Sequence, residues 1–132
     1  MLPWLAPKDV EALSFLWFFG GFIGNTDRHF GNISFMAPPA GLTLAPVYDM
    51  LPMLYAPQGP DLPDRSFAVP TPAGGDLAVW SRAGRAALMF WEQAASDVRI
   101  SAAFRAIAAA CERKVKEALV RLSADTPSRP ST

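Results

Sequence analysis

Apolar and polar positions along the chain change rhythm three times. From residue 10 to 22, Val10, Leu13, Phe15, Leu16, Trp17, Phe19 and Phe22 recur at helical spacing and leave apolar residues on nearly every side. A helix of that kind is expected in the middle of a bundle. Pro7-Lys8-Asp9 supplies its start, with Asp9 as the candidate N-cap or a start nearby, and Gly24-Asn25 its stop after Gly20-Gly21. Two short apolar runs come next, Ile33-Ser34-Phe35-Met36 and Leu42-Thr43-Leu44-Ala45, separated by Pro38-Pro39-Ala40-Gly41. They read as a hairpin.

Residues 51–75 break the rhythm with prolines at 52, 57, 60, 63, 70 and 72, which exclude a single helix or a central strand. A loop that long in a small domain is either functional or mobile. Helical spacing returns over 76–95, through Leu77, Trp80, Ala83, Ala87, Leu88, Phe90 and Trp91, with a risk of a break at Gly84. Ser101 then caps a run reaching Leu122, rich in Lys and Arg toward its C-terminal half. The expected fold is mainly α with a small β-hairpin. One domain covers 1–123, and 124–132, lacking core residues, is expected to be a flexible tail.

Composition adds exclusions. With 12 basic and 12 acidic residues the formal charge is zero, so no basic field argues for direct nucleic-acid binding. Half of the chain is apolar (51%), enough to close one core. Cys111 is the single cysteine and cannot form an internal disulfide; beside Ala108, Ala109 and Ala110 it reads as inert packing in a helix. The uncharged run 12–24 is shorter than the ~18 residues a membrane span needs, and 1–11 lacks the basic start of a signal peptide. The expected location is cytoplasmic.

The chemistry lies between 24 and 50. Asp27, an amide five residues on at Asn32, and Asp49 beyond the hairpin place three oxygen-bearing side chains at the two ends of one β unit. Phosphotransferases present a base and their magnesium ligands in that arrangement: a loop acid, an amide five positions on, and an acid after the next strand. Each residue also has an ordinary reading. Asp27 could cap a turn after Gly-Asn, Asn32 a strand, and Asp49 a short turn before Pro52, while Arg28 either pairs with an acid or stands exposed. His29, the only histidine, has no second His or Cys nearby for a transition-metal site. The three companions together favour the chemical reading.

The stretch GNTDRHFGNISF, followed by LAPVYDMLP, resembles the C-terminal part of HipA-like serine/threonine kinases, the toxins of bacterial toxin–antitoxin pairs. The resemblance is close over about 15–57 and loose beyond. It implies the C-terminal lobe of a kinase-like fold, with a catalytic loop at 24–32, a metal-binding acid at 49, an activation-loop-like segment at 51–75 and helices over 76–123. It implies Asp27 and His29 as catalytic residues and Asn32 and Asp49 as Mg²⁺ ligands, with Mg²⁺ and ATP as cofactors. The implied partners are a protein substrate of the aminoacyl-tRNA synthetase class and an antitoxin or a separate nucleotide-holding lobe.

One departure matters. No glycine-rich phosphate loop is present, and Lys8, Lys114 and Lys116 lie in helical contexts rather than on a strand. The expected object is therefore a lobe whose nucleotide-holding counterpart is supplied separately or lost. The alternative is an inactive kinase lobe serving as a protein-interaction module, with apolar surface uncovered where the other lobe would sit. A lipid kinase shares the site logic but wants a basic or apolar membrane-facing surface, to which the neutral composition gives little support.

Overall fold

The computed structural model describes residues 4–29, 32–39, 41–62 and 64–125. Over these the chain forms helices α1 (Pro7–Phe22), α2 (Leu77–Ser96) and α3 (Ala102–Ala124), with strands β1 (Phe35–Met36) and β2 (Thr43–Leu44) between α1 and α2. The strands pair antiparallel, Phe35 opposite Leu44 and Met36 opposite Thr43. The mainly α fold with a small hairpin is thus observed, although the ladder is shorter than the runs 33–36 and 42–45. Ala45 N–H donating to Ser34 O at 2.8 Å extends the pairing by one hydrogen bond. The expected tail begins inside α3, and 126–132 lie outside the described residues.

Helix α1 begins two residues before Asp9. Pro7 occupies the first turn, where its missing N–H costs nothing and its fixed φ suits a helix, and Ala6 takes the cap position without a side-chain bond. Asp9 is buried in the first turn, so it is not the N-cap. The far end closes as a Schellman turn. Gly24 sits at φ 71°, its N–H donates to Gly21 O at 3.3 Å, and Asn25 N–H donates to Gly20 O at 2.8 Å. A side chain at Gly24 would also press on the Tyr55 ring, at 3.3 Å. The chain leaves the helix in one fixed direction, toward the polar loop.

Helix α2 is the centre of the packing, with α1 on one side and α3 on the other. Trp80, Ala83, Gly84, Ala87 and Trp91 form its buried stripe. Gly84 does not break the helix; it lets both neighbours in, since a Cβ there would lie 2.7 Å from Leu119 Cδ2 and 3.1 Å from Phe22 Cζ. Trp91, fully buried, donates its Nε1–H to Phe22 O at 3.0 Å, where α1 ends. Around it stand the rings of Tyr55, Phe67 and Phe90, with centroids 4.9 to 6.4 Å away. At the head of α3, Ser101 Oγ accepts from Phe104 N–H at 3.2 Å, the cap expected from the sequence.

The apolar character of α1 leads to a different outcome from the bundle-centre expectation. Phe18, Phe22 and the following Ile23 enter the core, but Trp17 keeps 54% of its surface exposed. Among the described residues α1 makes its main helical packing with α2, and Trp17 lies away from that contact. The proline-rich segment, by contrast, is built in. It makes a 3₁₀ turn at Met53–Tyr55, buries Tyr55 and Phe67 in the core, and is tied by Trp80 Nε1–H to Pro70 O at 2.6 Å. Lys114 holds it from α3, donating to Phe67 O and to Ser66 Oγ and lying 4.7 Å from the centre of the Phe67 ring.

Candidate functional site

Beyond the Schellman turn, Asn25 is buried and organises the polar loop from within. Its Oδ1 accepts from Asp27 N–H at 3.0 Å, folding residues 25–27 into a tight Asx turn. Its amide nitrogen faces the backbone on the other side of the hairpin, 3.5 Å from Asp49 O and 3.4 Å from Met50 Sδ. One side chain therefore joins the loop after α1 to the segment that carries the second acid. Leu54 N–H, donating to Gly24 O at 3.0 Å, adds a further tie between the same two stretches.

The Asp27 carboxylate is flanked by donors on both oxygens. His29 Nε2 lies 3.2 Å from Oδ1, and Asn32 Nδ2 lies 3.4 Å from Oδ2. Asn32 Nδ2 also donates to Asp27 O at 2.7 Å. Both groups opposite Nδ2 are pure acceptors, which fixes the amide orientation and leaves Asn32 Oδ1 as the oxygen available to a cation. Asp27 and His29 are more than half exposed, so the pair is screened by solvent and orients rather than stabilises. An ionised carboxylate has lone pairs beyond two donors, and Asp27 keeps capacity to accept a third proton donor.

Asp49 adopts φ 53°, the left-handed region that asparagine and aspartate tolerate best among residues with a side chain. It follows Tyr48, whose hydroxyl lies 3.1 Å from Ser34 Oγ across the hairpin. The kinked backbone at 49 turns the chain out of β2 and into the 3₁₀ turn at Met53–Tyr55.

Asp27, His29, Asn32 and Asp49 all line one cavity of about 60 Å³, together with Asn25, Tyr48 and Met50. Its opposite wall is apolar, from Leu13, Leu16 and Trp17 of α1 to Leu44 and Val47 near β2. The four residues singled out from the sequence are thus gathered at one place rather than scattered. Phe30 and Gly31, inside the same loop, lie outside the described residues. The organising role of Asn25 escapes the sequence reading, although an Asn directly after a helix-stopping Gly is a legible signal. Arg28 neither stands exposed nor meets an acid among its described partners. It is half-buried and donates to backbone carbonyls.

The donor set suits a hard divalent cation. Two carboxylates and an amide oxygen match the preference of Mg²⁺, which binds through one or two carboxylates and completes its shell with water and phosphate oxygens. Among the described residues no three His, Cys, Asp or Glu side chains converge tightly enough to hold a metal by themselves. The volume of about 60 Å³ accommodates a hydrated ion or a few waters and not a nucleotide.

The HipA-like C-terminal domain family matches residues 3–119, most of the chain. The chain belongs to the HipA-like C-terminal domain family. It is 39% identical over 111 residues to the protein named Toxin YjjJ of Escherichia coli (strain K12), covering 83% of this chain and 25% of that protein. This HipA-like chain therefore spans about a quarter of that relative's length. No solved structure matches it significantly. No helix among the described residues is long and apolar enough to cross a membrane.

Proposed function

We propose that this chain is the catalytic lobe of a HipA-like toxin kinase, transferring phosphate from Mg-ATP to a protein hydroxyl once a nucleotide-holding lobe is in place. The observation that carries the reading is the gathering of Asp27, Asn32 and Asp49 on one cavity, with both Asp27 oxygens held by donors. Asp27 is the acceptor for the hydroxyl proton, and its lone-pair capacity beyond His29 and Asn32 serves that role. His29 steadies the carboxylate through Oδ1. Asn32 Oδ1 and the Asp49 carboxylate are the ligands for Mg²⁺, which when bound supplies charge neutralisation at the transferring phosphate. Asn25 keeps the proton acceptor in register with the Asp49 ligand by linking the loop at 27 to the backbone at 49.

The nucleotide needs more surface than this chain offers, and the uncovered apolar wall of Leu13, Leu16, Trp17 and Val47 is where the second lobe closes the cleft. The toxin role extends the name of the Escherichia coli relative to this chain. The substrate class is a protein, with aminoacyl-tRNA synthetases as the first to assay, and an antitoxin is the expected binding partner in a cytoplasmic setting. Asp27→Asn and Asp49→Asn in the full-length protein test the reading. Both should abolish phosphate transfer from Mg-ATP and relieve growth arrest, and normal turnover in either would reject the assignment.

A second reading rests on the same exposed surface. Trp17 and Val47, on the apolar wall of the cavity, are exposed large apolar residues, and an uncovered apolar wall favours association with a partner. A kinase lobe without activity would bind a protein there. Titration with Mg-ATP separates the two: nucleotide binding with phosphate transfer supports the enzyme, and partner binding without nucleotide binding supports the module.

A further inference from the structure

Arg28 follows Asp27 directly, and its side chain runs back along the end of α1. Nη1 donates to Trp17 O at 2.7 Å and Nε donates to Asn25 O at 3.0 Å, while the guanidinium carbon lies 4.4 Å from the centre of the Trp17 ring. Space for this path is made by the glycine pair. A Cβ at Gly20 would lie 2.7 Å from Arg28 Cδ, and one at Gly21 would lie 3.2 Å from Nη1. Glycine weakens a helix interior by about 1 kcal/mol relative to alanine. Gly20 clears the way for this side chain, and Gly21 clears the way for it and for Pro70, whose Cγ would lie 3.1 Å from a Cβ there.

Asn25 is held from both directions. Its side chain accepts from Asp27 N–H, and its carbonyl accepts from Arg28 Nε. We propose that Arg28 is a positioning residue whose guanidinium fork, anchored on the end of α1, fixes the turn at 25–28 and with it the place of the Asp27 carboxylate. The inference rests on the reading of Asp27 as proton acceptor. Lysine cannot replace it, because one ammonium on a flexible stem does not reach two carbonyls from two nitrogens while lying flat on an indole. Burial lowers the Arg28 pKa from its ordinary value, the mark of a cation held for its contacts rather than for solvent.

The test uses the full-length protein with Arg28→Lys, Arg28→Ala, Gly20→Ala and Asp27→Asn, read by amide hydrogen exchange over 24–29 and by steady-state kinetics with Mg-ATP. Charge-assisted hydrogen bonds of this kind predict on the order of tenfold or more faster exchange at Asn25 and Asp27 in both Arg28 variants. Exchange in α2 and α3 should stay unchanged. Turnover should fall by a comparable factor with KM for ATP unchanged, and added guanidinium ion should restore part of it to Arg28→Ala but not to Arg28→Lys.

Unchanged exchange, or unchanged turnover, in the Arg28 variants beside an inactive Asp27→Asn overturns the positioning role alone. A fully active Asp27→Asn overturns the reading beneath it. If Arg28→Ala does not fold, Gly20→Ala carries the test, since it displaces the side chain without removing it; normal exchange and turnover there sink the proposal.

Discussion

The two ends of this small lobe are built by opposite means. At the base, α2 and α3 enclose Trp80, Trp91 and Val115 with almost no exposed surface, and both indole nitrogens carried inward have partners, Trp91 Nε1 in Phe22 O and Trp80 Nε1 in Pro70 O. At the rim, Asp27, His29 and Asp49 stand in solvent, held by hydrogen bonds among themselves and to the buried Asn25. The base depends mainly on apolar burial, which is large and has no preferred direction. The rim depends on direction, which one atom can spoil. Stability and chemistry should therefore respond to different residues, and substitutions can be chosen to move one without the other.

The largest effect on stability is expected at Trp91→Ala, which removes a fully buried ring and a buried hydrogen bond. A loss of about 3–5 kcal/mol, read as a lowered denaturation midpoint, follows from the cost of emptying such a site. Asp27→Asn should leave that midpoint within about 0.5 kcal/mol, as exposed substitutions do, while lowering phosphate transfer by about 10²–10⁴-fold, the usual worth of a positioned base. A comparable stability loss in both would break the contrast. Next comes Lys114→Met, which removes the hold of α3 on Ser66 and Phe67. It should cost about 1–2 kcal/mol and expose 56–72 to limited proteolysis, with no change in the exchange of α2.

A smaller effect separates two changes at one rim position. Asp49→Gly should be more stable than Asp49→Ala by about 1 kcal/mol, because only glycine takes φ 53° without strain. Both should lose phosphate transfer. Equal midpoints would show that the backbone at 49 is not held in that conformation.

The mildest effect is on pH dependence. Burial raises the pKa of the Tyr55 hydroxyl above its ordinary 10.0 and that of the Cys111 thiol above 9.0. The two meet at 3.3 Å in the core. Both are neutral when folded and ionise more readily in the unfolded chain. Stability is therefore full below about pH 9 and declines as pH rises past 9 for Cys111 and past 10 for Tyr55, toward their raised folded values, where the unfolded state binds fewer protons. Tyr55→Phe should flatten the alkaline part of that curve in denaturation measured across pH.

How much of this is legible in the sequence obeys the same division. The stripe of Trp80, Ala83, Ala87 and Trp91 announces α2 by its period, and Ser101 announces α3 by its capping oxygen. Asp27, Asn32 and Asp49 are legible by spacing. Their shared cavity is not, because it is made by Asn25 reaching across the hairpin. The expected burial of α1 fails at Trp17, since periodicity records that a face is apolar and not what covers it. Asp9 reads as a cap because proline and aspartate both mark helix starts, and proline takes the earlier place. Phe67 is the single phenylalanine of 51–75, but without a period of 2 or 3.6 around it the pattern does not say that it reaches the core.

The bare Cα of Gly84 brings the two flanking helices to within reach of each other through α2, with Leu119 on one side and Phe22 on the other. Phe22 lies three residues before Asn25, so this close approach sits just beneath the turn that leads into the polar loop. A larger side chain at 84 would have to push Leu119 or Phe22 aside, so the same bare Cα that seats α3 also sets where α1 ends.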